Sequence, residues 1–330
     1  MFILVFVSTA ISCLAQKNYP LLQLELENPN NRIIDSIQIR NHPLLPSSTD
    51  KRFLLKKHKR IHFELVNETI IYLEGGITEK LFLEVNNKSK ITFLTNKQGF
   101  DSLVFSNDLL YKKRLIQYLE FIEIDHWKEV REAGRYEGNT DFLNATEDLY
   151  IKQTNHVLEQ NMSDAFREYL TLYITAIKIE YLLKKPTLST TNEYQECIRA
   201  FDELVNRRPK LFLQDKRICK LAYHLLLNHI ETKIDRPYEH FWYNDIDEIV
   251  KILNGLNNRA LFNEESQEMI YPNIIFDVLY KSSIDHAFRL FENYRNSFPR
   301  SSSIDFLSRE LESYSELRQG GKMPMPNLGA

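Results

Sequence analysis

Leu103-Val104-Phe105-Ser106-Asn107-Asp108-Leu109-Leu110 is the point at which the chain changes its period. Upstream, from Leu21 to about Phe105, branched and aromatic residues fall in short runs of period two, the spacing of a strand with one buried face. Downstream, Leu109, Leu110, Leu115, Ile116, Leu119, Ile122 and Trp127 recur at the three-and-four spacing that gives a helix one apolar stripe. Asn107 or Asp108 is placed to cap that helix, which should end near Gly134.

Outward toward the N-terminus, candidate strands fall at 22–26, 33–39, 52–55, 61–66, 69–73, 81–85, 91–94 and 103–105. Polar turn clusters such as Asn28-Pro29-Asn30-Asn31 and Glu74-Gly75-Gly76 separate them. Short strands joined by polar turns predict a small antiparallel β-sandwich over residues 20–106. Toward the C-terminus nearly everything reads as helix, so the expected class is α+β: a small antiparallel sandwich followed by a larger all-α domain over 107–318. Helices are expected at 140–160, 163–184, 192–206, 216–232, 245–256, 264–271, 274–281, 283–297 and 303–317. Residues 272–273, which include Pro272, separate the segments 264–271 and 274–281. No repeat of fixed period is visible, so a known solenoid motif is not expected.

Composition is that of a folded globular protein, with 43% hydrophobic, 26% charged and 12% aromatic residues in 330. Nine glycines argue against a glycine-rich nucleotide-binding architecture. A net charge of -3 gives no general attraction to nucleic acid. The basic residues from Lys51 to Arg60 read as a solvated strand edge.

Phe2 to Ile11 is an apolar run too short to span a bilayer, followed by Ser12-Cys13-Leu14-Ala15-Gln16. That pattern predicts a signal peptide over 1–15, cut after Ala15, and export to the periplasm or cell envelope. Cys13 is the alternative: preceded by Ala10-Ile11-Ser12 it loosely matches a lipoprotein box, which would anchor the protein by lipid. Cys197 and Cys219 lie in helical patterns; a disulfide between them is permitted in an oxidising compartment, and two buried thiols are the equal alternative.

Candidate chemistry is sparse. His58 and His62 sit in strand, and His224 and His229 are five apart on one helix, where they diverge. Asp125-His126-Trp127 and Asp285-His286 put a carboxylate beside an imidazole in sequence, but helical neighbours do not face each other. Tyr238-Glu239-His240-Phe241-Trp242-Tyr243, with Asp235 and Arg236 upstream, could line a hydrolase pocket or simply pack between helices. No nucleophile elbow, Walker loop, dinucleotide fingerprint or His-Glu-x-x-His occurs. Composition and spacing thus predict no cofactor, metal or catalytic residue.

Three stretches carry a family resemblance. Leu81 to Phe93 (LFLEVNNKSKITF) with Leu103-Val104-Phe105-Ser106-Asn107 resembles the closing strands of the β-domain in exported thioredoxin-like proteins of Bacteroidetes, related to the TlpA type of thiol–disulfide oxidoreductase. Phe298-Pro299-Arg300-Ser301-Ser302-Ser303 resembles that family's approach to its redox domain, and Gly321-Lys322-Met323-Pro324-Met325-Pro326-Asn327 resembles the entry into the thioredoxin fold. The resemblance implies that 319–330 is a linker toward a thioredoxin-like domain that this sequence does not contain. The family's chemistry resides in a Cys-x-x-Cys whose thiol is activated at a helix N-terminus. That motif is missing from this sequence, so no catalytic residue carries over. The resemblance implies a non-catalytic accessory region that binds envelope proteins. The alternative is a stand-alone envelope binding or scaffolding protein.

Overall fold

The computed structural model describes residues 22–27, 37–40, 51–53, 61–65, 69–74, 79–84, 88–95, 101–185, 187–188, 190–234, 246–255 and 261–318. Among them, strands give way to helix at Ser106, and the C-terminal part is all helical. Residues 1–15 with Cys13, His58, the 235–243 aromatic stretch and the 319–330 linker lie outside the described residues.

The strand region holds β1 (Leu22–Glu27), β2 (Ile37–Arg40), β3 (Lys51–Phe53), β4 (Ile61–Leu65), β5 (Thr69–Glu74), β6 (Glu79–Leu83), β7 (Lys88–Thr95) and β8 (Asp101–Phe105). They pair in two sheets, of order β4-β1-β7-β8 and β3-β2-β5-β6. The expectation of purely antiparallel pairing is corrected at one place: β1 runs parallel to β7, with Leu26 opposite Ile91. A parallel pair needs a long crossover. The segment between β1 and β7 supplies one by passing through five other strands. β5 and β6 form an antiparallel hairpin with Ile70 opposite Phe82.

The helices are α1 (Asn107–Glu132), α2 (Asn139–Leu158), α3 (Asp164–Leu183), α4 (Asn192–Arg207), α5 (Pro209–Phe212), α6 (Lys216–Ile234), α7 (Ile246–Gly255), α8 (Glu264–Lys281), α9 (Ile284–Ser297) and α10 (Ile304–Arg318). Several begin where a side-chain oxygen caps the first turn: Ser163 accepts from the Phe166 amide, Thr191 from Tyr194, Asn263 from Ser266 and Ser283 from His286. At α1 the expected cap is corrected. Ser106 occupies the N-cap position without a side-chain cap bond, and Asp108 instead accepts from Lys112 Nζ at 2.9 Å, one turn on. Just past the end of α1, Gly134 adopts φ +70°, a conformation that a side chain would strain.

The predicted break at Pro272 is also corrected, because α8 continues through it. Proline removes the amide that would bond the Glu268 carbonyl, one turn back. Tyr294 of α9 supplies the substitute, its hydroxyl donating to the Glu268 oxygen at 2.9 Å. A hydroxyl from the neighbouring helix thus satisfies the carbonyl that the local sequence leaves open.

One face of the β5–β6 hairpin packs into the helical core across the change of secondary structure at 106/107. Ile70 and Phe82 of the hairpin lie in the same apolar cluster as Leu115, Phe166 and Tyr169. Phe82 meets the Phe166 ring at 5.0 Å and the Tyr169 ring at 5.2 Å between centroids. Lys112, itself buried, crosses from α1 to Glu84 just beyond β6 at 2.7 Å. At the other edge, Gln214 Oε1 accepts from both the Ile70 amide and the Thr69 hydroxyl, each at 2.8 Å.

That glutamine clasp is testable. Gln214→Ala leaves the buried Ile70 N–H without an acceptor, a loss of about 1–3 kcal/mol. The expected result is a lower urea midpoint with an unchanged slope, whereas Gln214→Glu, which keeps an acceptor oxygen, retains most of the stability. Equal midpoints for Gln214→Ala and the parent would show that the clasp contributes nothing.

A charged cleft where the hairpin meets three helices

A concavity of about 500 Å³ lies where the β5–β6 hairpin meets α1, α3 and α6. Helical spacing builds its walls. On α1, Ile116, Gln117 and Glu120 fall on one face, and on α3, Tyr169, Tyr173 and Glu180 recur at four- and seven-residue intervals. The hairpin adds Tyr72 and Lys80, and the start of α6 adds Asp215 and Arg217.

Asp215 is the centre of the network. It is fully buried, immediately before α6, and one carboxylate oxygen accepts from the Arg217 and Ile218 amides at 2.8 and 3.2 Å. The other oxygen takes the Tyr169 hydroxyl at 2.8 Å and the Lys80 ammonium at 3.0 Å. Burial alone would push this carboxyl up, but Lys80, Tyr169 and the Ile218 amide together hold it below the usual carboxylate range. Lys80 also lies over the Tyr173 ring at 4.3 Å and approaches Glu120 at 3.9 Å.

Arg217 organises the second half. Its guanidinium forks onto both oxygens of Glu123 at 2.9 and 3.0 Å, and its Nε donates to Glu180 at 2.9 Å. Burial would weaken its charge, but Tyr173, Glu123 and Glu180 more than offset that. Burial raises the Glu180 carboxyl, with Arg217 opposing the shift. Tyr173 donates to Glu120 at 2.9 Å, and Tyr72 accepts the Lys216 amide at 2.6 Å. Burial pushes the Tyr72, Tyr169 and Tyr173 phenols well above their ordinary range, so all three stay neutral hydroxyls. The first amides of α6 are therefore spoken for, by Tyr72 and Asp215.

Sequence reasoning missed this constellation because its members come from four separated stretches. A trace was present: Glu123 stands four residues after Leu119, on the apolar stripe of α1, where an acid needs a buried partner.

The residues singled out from sequence sit elsewhere. Cys197 and Cys219 are free thiols, on α4 and α6. Cys219 is buried, with Asn273 Nδ2 4.0 Å from its sulfur, and burial pushes its thiol up to about 12. Burial also raises Cys197, with Lys178 opposing. Such thiols carry little thiolate at neutral pH. His126 is buried on the Ala145 carbonyl at 2.7 Å, while Asp125 beside it is exposed. His286 Nδ1 lies 3.0 Å from the Ser282 hydroxyl. His224 and His229 are both lowered by burial, and His62 pairs across β4–β1 with Glu25. Among the described residues no three His, Cys, Asp or Glu converge to hold a metal ion. Nor is any helix among them long and apolar enough to cross a membrane.

No protein-family model, characterised protein or solved structure matches the chain.

Proposed function

We propose that this chain is the non-catalytic, partner-binding region of an exported thioredoxin-like thiol–disulfide oxidoreductase of the TlpA type, acting in the periplasm or cell envelope. In this reading the two four-stranded sheets face each other as that family's small β-sandwich, and 319–330 leads toward the redox domain. Cys13 carries lipid or is removed with the signal peptide. The observation that carries the binding role is the cleft. Its polar groups, buried or partly buried, are committed to one another: Asp215 to Lys80 and Tyr169, Glu123 to Arg217, and Glu120 to Tyr173. Groups so paired hold a concave surface rigid rather than waiting for a proton or an electrophile. The high thiol of Cys219 supports the same side of the choice between binding and disulfide exchange.

The test is the DNA beyond the codon for Ala330, together with an insulin-reduction assay of the present chain. The reading expects an open frame that continues into a Cys-x-x-Cys coding sequence, and no disulfide reduction by the chain alone. A stop codon at that point with no downstream motif would remove the oxidoreductase context, and turnover by the chain itself would remove the non-catalytic assignment.

A further inference from the structure

We infer that the cleft binds a multivalent oxyanion, of phosphate or polycarboxylate type, through Lys216 and Lys220. The inference deepens the binding role proposed above and rests on it only for its biological context. The cleft is lined by five cations, Lys80, Lys113, Lys216, Arg217 and Lys220, against three anions, Glu120, Glu180 and Asp215. The whole chain carries -3, so the positive excess is local and opposed to the overall sign.

The carboxylates are already spent. Asp215 is held by Lys80, and Glu180 by Arg217, which also takes Glu123 from behind the wall. Glu120 accepts from Tyr173 and faces Lys80. Lys216 and Lys220 are exposed on the cleft's edge, and neither ammonium has a carboxylate within 4.0 Å among the described residues.

Their placement runs against local preference. Like charges four residues apart on a helix repel, and cations in a first turn oppose the helix dipole. No acidic residue lies within the first turn of α6, and the Asp215 carboxylate just before it is already committed to Lys80, Tyr169 and the cap amides. The amides there are occupied by Tyr72 and Asp215, so the helix terminus is not itself the receptor; the lysine ammonium groups are. An oxyanion in the cleft would relieve that repulsion. Ammonium groups recognise charge without fixing planar geometry, which is why phosphate and carboxylate sources share the site.

The experiment is thermal-shift and calorimetric titration of the full chain with pyrophosphate and with citrate, each against sodium chloride at matched ionic strength. The chain should be stabilised progressively by at least one of the two beyond the chloride control. The double variant Lys216→Ala/Lys220→Ala changes only exposed side chains and should fold, as circular dichroism can verify. It should lose about tenfold or more in affinity. Lys251→Ala, at an exposed lysine on α7, should bind as the parent does. A response to pyrophosphate alone assigns a phosphate-bearing ligand, and one to citrate alone a polycarboxylate. No stabilisation by either anion beyond chloride, or undiminished affinity in the double variant, overturns the inference. Neither outcome bears on the downstream reading frame, so the oxidoreductase context stands or falls separately.

Discussion

Asp215→Ala should unfold this protein more readily than any other single change in the cleft. Removal of the carboxylate strands the Lys80 ammonium, leaves the buried Tyr169 hydroxyl without its acceptor and uncaps α6 at the Arg217 and Ile218 amides. Breaking a buried ion pair from one side costs about 3–5 kcal/mol, because the remaining charge keeps its desolvation penalty. The corresponding fall in Tm is roughly 10 °C. Asp215→Asn keeps an oxygen for the cap and should fall between the two. Adding Lys80→Met to Asp215→Ala should recover part of the loss, since it removes the stranded charge. A Tm for Asp215→Ala indistinguishable from the parent would mean that the network does not support the fold.

The same carboxylate predicts an acid response with a definite sign. Its folded pKa lies below the ordinary value, so the unfolded chain binds the proton more readily. Its contribution is fully present above the unfolded pKa of about 3.9 and is lost as pH falls through the lower folded value. Asp215→Asn should therefore show a shallower loss of stability than the parent below about pH 4.

Trp127→Ala should be comparably damaging, for a different reason. The indole is buried and stacks on Tyr181 at 4.2 Å, with Phe142 at 5.0 Å and Tyr136 edge-on at 6.0 Å. It joins α1 to α2 and α3, so truncation opens a cavity in the middle of the packing. Large-to-small changes of this kind cost about 3–5 kcal/mol. Trp127→Phe should cost far less. It keeps an aromatic ring in the stack, and it removes an indole N–H that has no hydrogen-bond partner among the described residues. Chemical denaturation of the two variants side by side checks the order; equal losses would indicate that volume is not the deciding factor.

Much of the helical part was legible in advance, because its signals are local. The stripe Leu115, Ile116, Leu119, Ile122, Trp127 is buried as its spacing implies, and Ser163 caps α3 where an amide needs an acceptor. Where local reading failed, a partner distant in sequence had intervened. Pro272 should end a helix, yet the Tyr294 hydroxyl takes over the orphaned carbonyl. β1 should pair antiparallel, yet it also lies parallel to β7, a choice that leaves no mark on either strand. Asp215 and Arg217 leave no mark in the sequence, because a lone acid or base there is indistinguishable from a solvated one.

The sequence by itself determined where strand gives way to helix, which helix faces are apolar and where most helices begin. Those properties follow from backbone period and first-turn hydrogen bonding within a few residues. Only the tertiary structure decided that one face of the β5–β6 hairpin joins the helical core, and that Lys80, Asp215, Glu123 and Arg217 neutralise one another while Lys216 and Lys220 find no carboxylate among the described residues. Pairing of charges depends on distances between elements, and these are set by packing that no local stretch encodes.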